Sequence, residues 1–234
     1  AYQVSVVLIQ AQQPAVMPLP VLVRNIGARP EVAPSVPTLT KMVPDAGQST
    51  VEMDALVTLE GFALDGTQKK VLLTNDRFEV ELAIDPVAGN ATRLQFRIEN
   101  SLAAQLPAGM YQVSVRLQRP GEPEPRTSNR LPLALAPRPT NLPLTVNATG
   151  GAASFTVAVQ PSARVGQSVR LVLGNSEFAS EPITATTGQI SFQIPQAPLG
   201  DHLAKLRVDG VDSHIIAAGT PPPTYLPDRR IHIA

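Results

Sequence analysis

The amino-acid sequence predicts an all-β protein that consists of two tandem immunoglobulin-like β-sandwiches joined by proline-rich linkers. The first observation is that short segments of alternating apolar and polar residues recur from residue 37 to the last residue, as half-buried strands require. The second is that proline supplies 24 of the 234 residues, about twice its average share of ~5%. The third is that helical periodicity is nearly absent, which argues against a helix-rich enzyme fold.

Residues 1–36 predict one strand followed by a linker. Residues 2–9 read YQVSVVLI, and both faces of this strand are apolar after Val6, so the strand requires cover on both sides. We interpret it as the last strand of an upstream domain that is missing here. Prolines then stand at positions 14, 18, 20, 30 and 34, which favours an extended, semi-rigid linker over a helix.

Residues 37–136 predict the first sandwich. Residues 101–109 are its one candidate for a short helical turn, which Pro107 and Gly109 would end. Seven short strands within about 100 residues are typical of an immunoglobulin-like sandwich. The predicted strands are 37–44, 55–64, 69–75, 78–84, 92–98, 110–118 and 128–135.

Residues 137–234 predict the second sandwich, which follows a proline-rich joint at 136–143. The dipeptide Asp209-Gly210 predicts a type I′ turn between two of its strands. The predicted strands are 154–161, 167–174, 189–195, 202–210, 212–218 and 229–234.

The two predicted sandwiches align as copies of one unit. The segment LQFRI…LPAGMYQVSVRL in the first sandwich parallels ISFQI…APLGDHLAKLRV in the second. The repeat partner of Tyr111 is therefore His202, although the pentapeptide YQVSV itself occurs at residue 2 and at residue 111. The other matched pairs are Phe96 with Phe192, Gly109 with Gly200, Arg116 with Arg207, and Ser128 with Ser213.

Few residues could carry chemistry. His202, His214 and His232 each stand alone on a strand without zinc-ligand spacing, and the chain has no cysteine. Glu79 and Glu81 share one strand face, as a glycosidase pair could, but we assign them to a solvated face. We therefore predict no catalytic residue, no metal ligand and no cofactor, and we predict that the protein is not an enzyme.

Charge and hydropathy narrow the partners. The formal net charge is zero, so the chain offers no electrostatic attraction for nucleic acid. No apolar run approaches the ~20 residues that a transmembrane helix needs. The absence of cysteine fits a reducing compartment and also fits many exported bacterial proteins, so it leaves the compartment open.

Two groups of motifs resemble known families. Residues 37–47 read PTLTKMVPDAG, residues 57–66 read VTLEGFALDG and residues 107–117 read PAGMYQVSVRL. A proline before the first strand, a strand ending in Gly-Phe and the later pattern G-x-Y-x-V-x-V resemble the IPT/TIG branch of immunoglobulin-like domains. This resemblance covers about 100 residues and bears on the fold rather than on the function.

The second resemblance spans nearly the whole chain. YQVSVVLI…PLPVLVRNIG (2–27), ARVGQSVRLVLG (163–174) and KLRVDGVDS (205–213) look like the C-terminal part of tail-terminator, or cap, proteins of bacterial contractile injection systems. The sequence departs from that family by lacking the N-terminal domain that contacts tube and sheath.

The cap resemblance implies a structural, non-enzymatic accessory region of a phage-tail-like particle. Its partners would be other particle subunits, namely tube, sheath or cap neighbours, and any oligomer would form through the missing N-terminal domain. Its location would be a cytoplasmic assembly, or a released extracellular or membrane-anchored particle.

Two other functions remain open. The first is a binding module that recognises a protein, a membrane-associated partner or a glycan through sandwich-end loops such as 119–127 and 218–228. The segment GTPPPTYLPDRR (219–230) combines a rigid backbone with one aromatic residue and two cations, so the candidate partner-binding residues are Tyr225, Arg229 and Arg230. The second is a hydrolase whose catalytic domain lies upstream.

Overall fold

A computed structural model describes residues 36–217, 219 and 222–234 of the chain. The chain divides into two units, residues 1–34 and residues 35–234, and the described residues belong to the second unit. The predicted strand at residues 2–9 lies outside the described residues, as does the predicted linker up to residue 35. The described residues form strands and short 3₁₀ turns, which confirms the predicted all-β sandwich fold.

Within the described residues the first sandwich has nine strands in two sheets. One sheet has the strand order β1-β2-β6-β5, and the other has the order β4-β3-β7, with β8 and β9 both paired to β7. Three of the connections between its strands contain 3₁₀ turns, namely η1 (Asp45–Gly47), η2 (Asp76–Phe78) and η3 (Asn100–Leu102). The strands are β1 (Thr38–Pro44), β2 (Leu56–Phe62), β3 (Thr67–Asn75), β4 (Val80–Ile84), β5 (Ala88–Gly89), β6 (Arg93–Arg97), β7 (Gly109–Gln118), β8 (Arg126–Thr127) and β9 (Leu131–Leu135).

The second sandwich also has nine strands among the described residues. One sheet has the order β10-β12-β15, and the other has the order β11-β18-β16-β13-β14, with β17 paired to β16. The pair β11–β18 is parallel. The strands are β10 (Arg138–Pro139), β11 (Leu144–Val146), β12 (Ala153–Ala163), β13 (Val169–Leu173), β14 (Ser176–Ala179), β15 (Thr187–Ile194), β16 (Gly200–Val208), β17 (Val211–Asp212) and β18 (Arg230–Ile233).

Each sandwich closes over its own hydrophobic core. Phe96 and Tyr111 are the largest buried side chains of the first core, and Phe192 is the largest of the second. Because side chains alternate along a strand, every second residue of β7 and β16 points inward. Burying each large apolar side chain contributes about 1.5–3 kcal/mol, so these inward rows hold the two sheets of each sandwich together.

Several predicted strand boundaries were wrong. The strand predicted at 78–84 begins at Val80, because Asn75 Oδ1 accepts a hydrogen bond from Phe78 N and caps the turn η2. The segment predicted as a strand at 212–218 pairs with β16 only at its start, through β17 (Val211–Asp212) and Ser213. The predicted joint at 136–143 contains the short strand β10, and β14 was not predicted. These elements have two to four residues, too few to show alternation.

The predicted repeat is confirmed by two hydrogen bonds that recur in both sandwiches. Tyr111 Oη donates to the Pro107 carbonyl oxygen at 2.7 Å, and His202 Nε2 lies 2.9 Å from the Pro198 carbonyl oxygen. Because a carbonyl only accepts, Nε2 carries the proton. Ser128 Oγ accepts from Val115 N and Ser213 Oγ accepts from Leu206 N, both at 2.9 Å.

Candidate functional site

The structure separates the three predicted partner-binding residues. Tyr225 is 60% exposed and Arg230 is exposed, whereas Arg229 is only 7% exposed. The Arg229 guanidinium donates to the carbonyl oxygens of His214 and Pro139, at 3.3 and 3.4 Å, and pairs with the neighbouring Asp228. Arg229 is therefore an internal anchor, and Tyr225 and Arg230 are the two that a partner could reach.

Tyr225 belongs to a two-stranded ribbon, which we define as residues 213–217 and 224–229. Leu226 N donates to the Ile215 carbonyl oxygen and Ala217 N donates to that of Thr224, both at 2.8 Å. Ile216 and Tyr225 form an isolated antiparallel bridge, and directly opposed side chains project from the same face. Because Ile216 is 43% and Tyr225 60% exposed, the ribbon presents an apolar pair to solvent.

The ribbon is fixed to the first sandwich as well as to the second. Thr50 Oγ1 and His214 Nε2 share a hydrogen bond of 2.7 Å, and Gln48 Nε2 donates to the Ile216 carbonyl oxygen at 3.2 Å. Glu52 Oε1 lies 3.6 Å from His214 Nδ1, which is too long for a hydrogen bond. The position of the apolar pair therefore depends on both sandwiches.

A second set of contacts holds the two sandwiches together, and Gln167 is at its centre. Its Nε2 donates to the Ala108 carbonyl oxygen and to Asp209 Oδ2, each at 2.8 Å, and its Oε1 accepts from Arg164 N at 2.9 Å. Gln167 is 6% exposed, and its side-chain nitrogen and oxygen are both satisfied inside the joint. Ala108, a residue of the first sandwich, packs in the core of the second.

Charged side chains complete this second set. Arg77 Nη1 pairs with Asp209 Oδ2 at 2.9 Å, and Arg77 Nη2 donates to the Gly166 carbonyl oxygen. Arg164 Nη2 donates to the Gln105 carbonyl oxygen at 2.8 Å. Both guanidinium groups lie over the Phe78 ring, 4.9 Å from its centroid for Arg77 and 6.0 Å for Arg164, where cation–π attraction adds to the contact.

Local sequence explains how the second sandwich reaches the first. The predicted type I′ turn is present, with φ of 47° at Asp209 and 84° at Gly210. It brings the Asp209 carboxylate to Ser168 N, which donates to Oδ1 at 3.0 Å. The turn and the loop before β13 are thereby joined into one surface that faces Arg77.

The sequence reasoning missed most of these residues. Gln167 begins a predicted strand and Arg77 and Thr50 lie between predicted strands, and no pattern marks any of the three as a contact between the sandwiches. The Asp209-Gly210 pair was the one usable signal, and it predicted a turn rather than a contact. A partner 40 to 170 residues away in the chain leaves no trace in local periodicity.

The structure gives no geometry for metal chemistry in the part of the chain that it describes. There, no three His, Cys, Asp or Glu side chains stand close enough together to hold a metal ion. Burial raises the pKa of the Tyr111 phenol, and the nearby Arg164 charge offsets part of that rise. Among residues 36–217, 219 and 222–234, none lies in a helix with the length and apolarity to span a bilayer.

Comparisons with known proteins found one family model and several distantly similar structures. A family described as "Domain of unknown function (DUF8756)" matches residues 137–232, and no curated protein matches the chain. Similar solved structures include the FN1–FN3 domains of chicken CNTN1, with 13% identity over 85% of this chain and 67% of that one, and a TM-score of 0.27.

Two other structures are similar at the same level. The tetra-tandem repeat in the extending region of a large adhesion protein has 15% identity, 76% coverage of this chain, 47% of that one and a TM-score of 0.35. A Bacteroides ovatus mixed-linkage glucan utilization protein, SGBP-B, has 14% identity, 87% coverage of this chain, 47% of that one and a TM-score of 0.29. This chain spans about half the length of both. The sheets of the described residues themselves define the fold as two tandem β-sandwiches.

Proposed function

We propose that this chain is a non-enzymatic structural component: the accessory pair of immunoglobulin-like modules of the cap, or tail-terminator, protein of a contractile injection particle. The sequence resemblance to that family supports the particle, and the joint between the sandwiches supports the structural role. Its partners are then tube, sheath or cap subunits, in a cytoplasmic assembly or in a released or membrane-anchored particle.

The observation that carries the structural role is the double anchoring of the joint. Domains in one chain generally move relative to each other unless their interface is extensive. Here one set of contacts runs through Gln167, Arg77 and Asp209, and another runs through Thr50 and His214. A module held at two places transmits a position rather than acting as a flexible tether.

The test uses particles assembled with the complete cap protein and with variants of it. Deleting residues 37–234 is expected to impair particle stability, surface attachment or cargo delivery. The variant Arg77→Ala/Gln167→Ala, which loosens the joint, is expected to reproduce part of that defect, whereas Lys41→Ala, at an exposed position away from the joint, is not. Deletion particles that match the wild type in all three properties would contradict an essential role.

A second candidate function is a binding module that uses the ribbon. The observation that favours it is the exposed Ile216–Tyr225 pair, because two large apolar side chains are unusual neighbours on a solvent-exposed surface. A protein, a membrane-associated partner or a glycan would bind there, with Arg230 as a neighbouring cation.

The binding test compares Ile216→Ser/Tyr225→Ser with Phe62→Ser. Phe62 is 63% exposed and lies in the first sandwich, away from the ribbon, so it is a matched apolar control. Binding of purified particle subunits, lipid vesicles and a glycan array is measured for each protein. The ribbon variant should lose a ligand that the Phe62 variant keeps, and equal binding by all three proteins would exclude the ribbon.

A further inference from the structure

One face of the first sandwich carries unpaired charges of both signs on opposite sides of a groove. The groove has a volume of about 590 Å³ and lies on the outer face of the sheet β4-β3-β7. Leu72 and Thr74 of β3 form its floor. Its lining includes carboxylates at Asp76, Glu79 and Glu81 and guanidinium groups at Arg116 and Arg130.

The negatively and positively charged side chains are separated across the width of the sheet. Glu81 lies on β4, directly opposite Thr74 of β3, and Arg116 lies on β7. Because neighbouring strands are about 4.8 Å apart, β4 and β7 are separated by about 10 Å. Arg130 lies beyond β7, in the segment between β8 and β9. Asp76 and Glu79 lie in and just after the turn η2, at the same end of β4 as Glu81, whereas Arg116 is opposite Lys70, four residues from Thr74 along β3. The carboxylates and the arginines therefore lie on diagonally opposite sides of the groove, which we call the carboxylate wall and the arginine wall.

None of these five side chains makes an ion pair or a side-chain hydrogen bond with any residue that the structure describes. All five are exposed. Charges nearby behave differently: Lys70, which is directly opposite Arg116, pairs with Asp85 at 2.6 Å. The five charges of the groove are thus free to pair with another molecule, whereas Lys70 at its border is already paired within the chain.

We propose that this groove is the dimerisation face for a second copy of this chain. A two-fold axis that is parallel to the plane of the sheet and perpendicular to the line joining the two walls brings the arginine wall of each copy against the carboxylate wall of the other. Such a contact is isologous, so every pair occurs twice. Opposite charges on the two walls select this arrangement over one that stacks like charges. The face needs no upstream domain, and the inference is independent of the proposed particle.

The test is sedimentation velocity on the complete chain over a range of concentrations. The wild type is expected to dimerise in about 0.05 M NaCl and to dissociate in about 1 M NaCl, because exposed pairs are screened. Arg116→Glu/Arg130→Glu and Glu79→Lys/Glu81→Lys should each weaken dimerisation roughly 10- to 100-fold, since each converts attraction into repulsion at two symmetric places.

The decisive measurement mixes the two charge-reversed proteins. In the mixed pair both contact zones are attractive again, so a heterodimer is expected where neither protein dimerises alone. Lys41→Glu/Arg170→Glu changes the net charge as much as the arginine reversal does, at exposed positions outside the groove, and should dimerise like the wild type. A monomeric wild type at every concentration in low salt would overturn the proposal. So would a dimer that survives either reversal, or a mixture that stays monomeric, and each of these outcomes leaves the proposed particle role untouched.

Discussion

At the scale of single residues, the same hydrogen bond occurs at equivalent positions of the two sandwiches. Tyr111 is 1% exposed and donates to the Pro107 carbonyl oxygen, four residues earlier in the chain. His202 makes the same bond to Pro198 with a different ring. The turn before β7 and β16 therefore requires a ring that carries a donor at this position, and a phenol and an imidazole both meet the requirement.

Tyr111→Phe removes this donor and leaves the buried Pro107 carbonyl oxygen unpaired. We expect a loss of about 1–3 kcal/mol in the free energy of unfolding, measured by urea denaturation. Tyr225→Phe, at an exposed tyrosine, is the control and should change stability by less than about 0.5 kcal/mol. Equal effects of the two substitutions would contradict a special role for the hydrogen bond from Tyr111 to Pro107.

Alkaline pH should reveal the same residue. Burial raises the pKa of Tyr111 above that of an unfolded tyrosine, so the folded state holds the phenolic proton more tightly. Its contribution to stability is complete below about pH 10 and falls as the pH rises from there. The free energy of unfolding, measured from about pH 9 to 11, should fall less steeply in Tyr111→Phe than in the wild type.

At the scale of elements, the edge strand β1 depends on one glycine and one asparagine. Gly61 pairs with Leu39 where the register between β1 and β2 shifts, and a Cβ at Gly61 would lie 2.1 Å from the Thr38 carbonyl oxygen. Asn129 closes the other side of the strand, because its side chain accepts from Leu39 N at 2.7 Å and donates to the Leu39 carbonyl oxygen at 2.9 Å. The Asn129 side chain thus makes the hydrogen bonds to β1 that a neighbouring strand would otherwise make.

Gly61→Ala should separate β1 from β2, since the clash is with backbone that cannot move without breaking the pairing. The expected loss is about 2–4 kcal/mol in the free energy of unfolding. Gly188→Ala is the matched control, because a Cβ there meets nothing nearer than 3.5 Å, and its effect should stay within about 0.5 kcal/mol. Urea denaturation of the two variants measures both losses. A Gly61→Ala protein as stable as the wild type would show that the backbone of β1 can move to accommodate the added Cβ.

At the scale of the whole molecule, the joint determines what the two sandwiches can do together. Gln167, Asp209 and Arg77 form a network in which each polar group satisfies another. A partly satisfied network is worse than none, so losing one member should loosen the others. The ribbon with Tyr225 is anchored at the same joint through His214, and its orientation should change with it.

Arg77→Ala/Gln167→Ala should therefore broaden the distribution of distances between spin labels placed in the two sandwiches. The cause is the loss of the bonds to Ala108, Gly166 and Asp209. Lys41→Ala removes an exposed lysine that takes no part in the joint or the groove and should leave the distribution as narrow as in the wild type. A distribution of unchanged width in the double variant would mean that the contacts of Thr50 and Gln48 with the ribbon suffice to hold the two sandwiches.

The amino-acid sequence by itself determined the all-β class, most strand positions, the Asp209-Gly210 turn and the correspondence of Tyr111 with His202. These features rest on alternation and turn chemistry, which act between residues that are close in the chain. Only the tertiary structure decided that Arg229 is an internal anchor, that Ile216 accompanies Tyr225, and that Gln167 holds the joint. Those roles are set by contacts between residues that are far apart in the chain, and local patterns carry no record of which distant group will satisfy a buried polar atom.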